Sequence, residues 1–232
     1  MANPKAYLDI DIDGHRAAHA NAVAFVAQNS IRYSLSSDKL SELGGSERAR
    51  LPELYASDFA WAGRGRLELS PAPAERVVFE LFAKEAPTCV ANFAALCTGA
   101  KGKAKGSGLP LHYKGSALHR VVKGFMVQGG DFTHGNGAGG ESIWGAPFKD
   151  DKDALRLRVD APGLLAMSNT GKNSNGSQWF VTLAPAPKLT GKHCVFGRVV
   201  EGWGVIAAVG ELECEGERPL KEVRIVDCGL LP

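Results

Sequence analysis

Short apolar runs rich in Val, Ile, Leu and Phe recur along most of the chain, separated by glycine-rich turns. Six of them have the length and β-branched content of strands: Ala6 to Ile12, Arg76 to Phe82, Leu118 to Val122, Gln178 to Leu183, Cys194 to Val200 and Glu222 to Asp227. Two segments break the rhythm. In Ala86 to Cys97, Pro87 suits an opening turn, and Val90, Phe93, Ala94 and Cys97 recur at i, i+3, i+4 and i+7. That spacing predicts a helix with one apolar face, which Gly99 stops. Gly202 to Val209 reads as a second helix. Many short strands without a helix between each pair predict an antiparallel sandwich or barrel rather than a parallel βαβ sheet.

A long segment between the first strand and Arg76 differs, being rich in Ala, Ser, Arg and Glu. Val23, Val26, Ala27 and Ile31 are spaced for a helix, and Lys39 to Leu43, ahead of Gly44-Gly45, for a short second one. Ser70-Pro71-Ala72-Pro73 closes the segment as an extended linker. Its aromatics, Phe25, Tyr33, Tyr55, Phe59 and Trp61, either pack it onto the rest of the fold or form a partner surface, and packing is the expected use.

Composition narrows the function classes. A chain of 232 residues with 44% hydrophobic and 22% charged residues can bury a core, which argues against wholesale disorder. A formal net charge of +2 is too small for the one-signed field of a nucleic-acid binder. No run approaches the roughly 18 consecutive apolar residues that span a bilayer, and the opening residues lack a signal peptide's basic-then-apolar order. A cytoplasmic monomer with no membrane partner is expected. The five cysteines are odd in number and form no CxxC pair, which argues against a disulfide framework and against zinc.

Generic site motifs carry little. Gly135 to Gly140, GNGAGG, matches a dinucleotide pattern, but the Gly and Pro in the following ESIWGAPF leave no phosphate-binding helix. His15 and His19 would share a helix face, yet no motif supplies further metal ligands, and an exposed polar pair is the expectation. There is no GxSxG elbow and no HExxH. No cofactor and no metal is called for.

One stretch is specific. LHRVVKGFMVQGGDF, Leu118 to Phe132, places an Arg on a strand, a tight Lys123-Gly124 turn, and a second strand ending in Gly-Gly. It resembles the signature of the cyclophilins, the cyclosporin-binding peptidyl-prolyl isomerases. The resemblance continues through NGAGGESIWG, LLAMSNTGKNSNGSQWFVT, GKHCVFGRVVEG and VRIVDCGLL, and is preceded by NPKAYLDIDIDG and ERVVFELFAKEAPTCVANFAALCTG. It covers the chain outside residues 15–74, so it implies a single cyclophilin-like domain over 1–232 with a partly helical insert at 15–74, between the first two strands. The implied fold is mainly β, a closed eight-stranded antiparallel barrel capped by two helices. The interior of such a barrel is filled by side chains, so a substrate binds outside.

The resemblance makes Arg120 the catalytic residue, with Phe125, Met126, Phe180, Leu189 and His193 forming the pocket for a substrate proline. Gln128, Asn169 and Gln178 are implied to hold the peptide backbone, and Gly137, Ser168 and Thr170 to line the groove for the residues before proline. The family often has Ala where this chain has Ser168 and Thr170. These residue types fit the chemistry. Rotation about an X-Pro bond breaks no bond and needs only the loss of amide resonance, a barrier of about 18–20 kcal/mol. At the twisted geometry the prolyl nitrogen regains a lone pair, which a permanently charged guanidinium bonds, stabilising the transition state over the ground state.

Departures from the family pattern carry further expectations. Lys188 stands where many cyclosporin-sensitive members have a Trp, so weak cyclosporin binding is expected. The loop Lys101 to Ser116 looks like that of the divergent-loop cyclophilins, and Cys97, Cys228 and Glu141 match the cysteine pair and glutamate that accompany it. In that subclass the cysteines are proposed as a redox switch and the glutamate bonds loop amides; two inert buried thiols are the alternative. Two functions stay open: an isomerase and folding helper acting on proline-containing peptides and unfolded clients, or a module that binds one proline-containing partner. Arg120 favours the enzyme, because binding alone needs no donor aimed at the prolyl nitrogen.

Overall fold

Alternation along short, Gly-bounded strands fixes which side chains turn inward. The computed structural model describes residues 3–71 and 76–232, so Ala72 and Pro73 of the expected linker lie outside the described residues. In chain order the strands are β1 (Lys5–Ile12), β2 (Arg76–Leu81), β3 (Arg120–Val122), β4 (Met126–Gly129), β5 (Leu164–Met167), β6 (Trp179–Thr182), β7 (Val195–Glu201), β8 (Cys214–Glu215), β9 (Arg218–Pro219) and β10 (Val223–Leu231). The helices are α1 (His15–Asn29), α2 (Gly45–Ser57), α3 (Pro87–Thr98), α4 (Lys152–Arg156) and α5 (Trp203–Gly210). The chain divides into two compact units, residues 1–13 with 74–232, and residues 14–73.

In the first unit eight strands form one antiparallel sheet in the order β10-β1-β2-β7-β5-β6-β4-β3. The sheet curls until its edges meet. The chain just before β3 reaches β10, where Leu118 N–H donates to Val223 O and Ile225 N–H to Ser116 O, each at 2.9 Å, around an Ala117–Arg224 bridge. The expected barrel is therefore present, and its seam is a short bridge rather than a ladder between the edge strands.

Odd-numbered residues of β3 to β6, Val121, Val127, Leu165, Met167, Trp179 and Val181, join Ala6, Leu8, Phe79 and Phe196 in the interior. α3 packs against β1 and β10, and α5 against β2, β3 and β4. Phe93 of α3 reaches the centre, its ring 5.2 Å from Phe196 and 6.2 Å from Trp179. Pro87 opens α3, Gly99 closes it at φ 68°, and Asp151 Oδ2 accepts the Thr88 and Cys89 amides at 3.0 and 2.9 Å. These bonds satisfy donors that a helix start leaves orphaned. The buried face of α3 includes Cys89 and Leu96, whereas Ala94, predicted to share it, is only half-buried.

The second unit has its own core: Ala22, Phe25, Val26, Leu40, Leu43, Leu51, Tyr55 and Trp61. Phe25 sits among Tyr55, Trp61 and Tyr33, with ring centroids at 5.3, 5.5 and 5.7 Å. Phe25, Tyr33, Tyr55 and Trp61, expected to pack the segment onto the rest of the fold, instead pack on one another in this separate core, while Phe59 is fully exposed. The helix expected around Val23 to Ile31 begins earlier, at His15, and stops at Asn29, which leaves Ile31 95% exposed. The short helix expected at Lys39 to Leu43 is a single 3-10 turn, Leu40–Glu42. α2 was not expected, since Pro52 stands inside it and removes one backbone donor. His15 and His19 are half-buried rather than an exposed pair: His15 Nε2 lies 3.1 Å from Ser70 O and His19 Nδ1 3.0 Å from Glu68 O.

Candidate active site

The even-numbered side of β3 to β6 forms the outer face of the barrel. Across it, register places Arg120 opposite Gln128, Gln128 opposite Phe180, Phe180 opposite Ala166, and Ala166 opposite Val195. A second row pairs Val122 with Met126 and Met126 with Thr182. One strip of sheet thus changes from cationic at β3 to apolar at β5 and β7. Met126 and Phe180 belong to a cluster with Val159, Ala166, Ala186 and Val195, against which Phe125 and Leu189 pack. This cluster shares no residue with the barrel interior. His193 closes one side, its ring edge-on to Phe180 at 5.3 Å and its Nδ1 3.0 Å from Met167 O. Phe125, Met126, Phe180, Leu189 and His193 are therefore brought together, as the sequence led us to expect.

The polar residues form a chain beside this cluster. Arg120 Nη1 donates to Gln128 Oε1 at 3.2 Å; Gln128 Nε2 donates to Gln178 Oε1 at 2.8 Å and to Ser168 Oγ at 3.3 Å. Gln178 Nε2 in turn donates to the carbonyls of Gly137 and Gly139, each at 2.8 Å. Arg120, Gln128, Ser168, Gln178 and Gly137 are thus one connected network. Asn169 and Thr170 stand apart from it: Asn169 Nδ2 donates to Lys192 O at 2.9 Å, and the Thr170 amide to Ser174 Oγ at 3.0 Å.

The glycine-rich loop after β4 has an anion of its own. Asp131, fully buried, accepts the amides of Thr133 and His134 on Oδ1 and those of Asn136, Gly137 and Gly139 on Oδ2, at 2.9 to 3.2 Å. Burial alone raises a carboxyl pKa, but these donors hold Asp131 well below the ordinary value. GNGAGG therefore cradles a carboxylate of the same chain, in the way such loops elsewhere cradle phosphate. Gly137, at φ 92°, leaves room for the His119 ring, whose Nε2 lies 3.1 Å from where a Cβ would stand. Burial pushes the His119 imidazole pKa down.

The remaining expected residues lie elsewhere. Glu141 Oε2 accepts the Gly106 amide at 2.9 Å and Oε1 the Ser107 amide at 2.7 Å, tying down the loop at 101–116. Cys97 lies in the last turn of α3 and Cys228 in β10, both buried, with His112 between them: its Nε2 is 3.1 Å from Cys97 O and 3.5 Å from Cys228 Sγ. Burial pushes the Cys97 thiol well up and that of Cys228 to about 12. Lys188 is exposed in the 3-10 turn Pro187–Leu189, beside Leu189. Among the described residues no group of three or more His, Cys, Asp and Glu side chains could hold a metal, and no helix is long and apolar enough to cross a membrane.

Sequence reasoning missed Glu217. Its Oε2 accepts Arg120 Nε at 2.6 Å, from the turn between β8 and β9. Nothing in the sequence signalled it, because the hairpin is too short for a strand pattern and the two residues are 97 apart.

A family model described as cyclophilin type peptidyl-prolyl cis-trans isomerase/CLD matches residues 66–230. A peptidyl-prolyl cis-trans isomerase of Rhizopus delemar is 53% identical over 157 residues, which are 67% of this chain and 46% of the relative. The chain thus spans about half the length of the curated relative it matches.

Proposed function

Because the chain belongs to the cyclophilin-type peptidyl-prolyl cis-trans isomerase family, we propose that it accelerates rotation about X-Pro bonds on the outer face of its barrel, with Arg120 as the catalytic residue. The observation that carries this is the single sheet register joining Arg120, Gln128 and Phe180 beside an apolar cluster separate from the core. A proline ring seated against Met126, Phe180, Phe125, Leu189 and His193 is held by dispersion and burial while the preceding carbonyl turns. Arg120 donates to the prolyl nitrogen as it pyramidalises, a bond that strengthens only toward the twisted state. Gln128 and Gln178 orient the guanidinium and, with Asn169, the peptide backbone; Gly137, Ser168 and Thr170 line the approach of the residues before proline.

The substrates on this reading are proline-containing peptides and unfolded protein clients, met by a monomer with no nucleic-acid or membrane partner. The cytoplasmic setting rests on cysteine usage, five thiols without a paired framework. Glu141 tethers the divergent loop, and Cys97 with Cys228 is its candidate redox element.

Cis/trans exchange of a short X-Pro peptide, followed by NMR exchange spectroscopy, tests the reading. Intact protein accelerates exchange, and Arg120→Ala removes most of the gain, about a hundredfold or more in kcat/KM. Binding of the peptide without acceleration by the intact protein makes the groove a recognition surface and overturns the enzyme reading.

A further inference from the structure

Arg120 is gripped from two sides. Besides Gln128 on β4, Glu217 Oε2 meets its Nε at 2.6 Å. We propose that Glu217 is a positioning residue for Arg120, fixing the plane of the guanidinium so that its remaining donors face the substrate groove; the assignment rests on the isomerase reading.

The backbone of Glu217 is itself held by the strand that carries Arg120. The amide of Val121, the next residue, donates to Glu217 O at 2.7 Å, so the turn is docked at a fixed register on β3. Behind that turn β8 and β9 pair Cys214 with Pro219 and Glu215 with Arg218, and the Leu220 amide donates to Glu213 O at 2.8 Å. Lys123, just past β3, donates from Nζ to Glu211 O at 3.0 Å and fixes the segment entering the hairpin. The position of Glu217 thus follows that of Arg120 through backbone and side-chain bonds on both sides.

A planar guanidinium held at Nε by a charged acceptor and at Nη1 by a neutral one cannot rotate about its own long axis. Of its five N–H donors two are used, and the other three have no protein partner among the described residues. An isolated surface pair gains little, since two long side chains must be ordered to make it. Here Gln128 already restrains the Arg120 side chain and the Val121 amide fixes the backbone from which Glu217 reaches, so forming the pair orders less than an isolated surface pair does. Glu217 touches the catalytic residue and not the reacting bond. Its effect belongs in the turnover step, through the orientation of the donor, rather than in peptide affinity.

The test uses the full chain, with Arg120→Ala, Glu217→Ala, Glu217→Gln and, as a charge control on the same hairpin, Glu215→Ala. For X-Pro exchange, Glu217→Ala lowers kcat about fivefold to tenfold with KM nearly unchanged. Glu217→Gln, which keeps an oxygen acceptor, recovers activity to within about twofold of the parent. Glu215→Ala matches the parent. The Arg120 Nε–H resonance, resolved and slow to exchange with solvent in the parent, is lost in Glu217→Ala and kept in Glu217→Gln. Unchanged or increased kcat in Glu217→Ala, beside a parent that Arg120→Ala inactivates, overturns this assignment and leaves the isomerase reading standing. Equal loss in Glu217→Ala and Glu217→Gln together with a lowered melting temperature makes the role structural and also overturns it. A parent that does not accelerate exchange removes the isomerase reading, and this assignment falls with it.

Discussion

Gln128 and Gln178, on β4 and just before β6, share a 2.8 Å hydrogen bond that links the arginine end of the site to the glycine-rich loop. Gln128 is 7% exposed, and its amide contacts Arg120, Ser168 and Gln178 at once. Gln128→Ala therefore breaks the chain at its centre. The expected result is about a tenfold loss of kcat/KM for X-Pro exchange and a stability loss of about 1–2 kcal/mol, read by exchange spectroscopy and denaturant melts. Gln178→Ala is expected to act non-additively with it, because both cut the same network.

Asp131 gives the fold an acid limit. A carboxyl whose folded pKa lies below its unfolded value stabilises the protein fully above about pH 4 and loses that contribution as the pH falls through the depressed folded value. Asp131→Asn keeps the shape and removes the charge that five amides share. It is expected to cost about 2–3 kcal/mol at neutral pH, with a stability curve that varies less with pH below 4 than the parent's. Urea melts at a series of pH values measure both.

The thiols are expected to react in the order of their exposure. Cys214 is partly exposed, while Cys89, Cys97, Cys194 and Cys228 are buried. Cys97 and Cys228 also have raised pKa values, so little thiolate is present at neutral pH. Peptide mapping after brief alkylation at pH 7 should find Cys214 labelled first. Peroxide treatment of the parent and of Cys97→Ser then reads the redox element directly: formation of a Cys97–Cys228 disulfide supports it, and an unchanged thiol count rejects it.

Lys188 predicts poor cyclosporin inhibition. Beside Leu189 it offers a flexible ammonium, where the resemblance implies an apolar indole in many cyclosporin-sensitive members. Lys188→Trp is expected to strengthen inhibition of X-Pro exchange by about tenfold, equivalent to ~1.4 kcal/mol, while leaving uninhibited turnover near the parent value. Nanomolar inhibition of the unaltered protein contradicts this expectation.

Much of this was legible along the chain, and the reasons are local. The strands around Val121, Val127 and Val181 announce themselves because short runs carrying β-branched and aromatic residues are bounded by turns, and Pro87 with Gly99 brackets α3. β5 went unassigned from pattern alone, since LLAM has no alternation to read and its inward Leu165 and Met167 flank an equally apolar outward Ala166. α2 was hidden by Pro52 and by the neighbouring Gly44-Gly45. The resemblance reached Arg120, Gln128 and Phe180 because they sit on strands of fixed register. Glu217 reaches its partner across a long sequence separation, through a two-residue ladder whose position only the closed fold defines.

β1 and β2 are antiparallel neighbours, with Asp9 opposite Arg76, yet residues 14–73 fall between them. A pair of this kind is ordinarily zipped from a tight turn within microseconds. Here the zipper has no turn to start from. Closing the longer loop costs only about 0.6 kcal/mol per doubling of length, or roughly 2–3 kcal/mol over a short hairpin, so equilibrium stability tolerates the interruption. The burden falls on time. If residues 14–73 build their own core around Phe25 first, the two strand ends are brought together by a folded body instead of a search through open chain, and the order of folding events follows. Loosening that core, for example by Phe25→Ala, is then expected to slow formation of the barrel although Phe25 belongs to the separate cluster of residues 14–73.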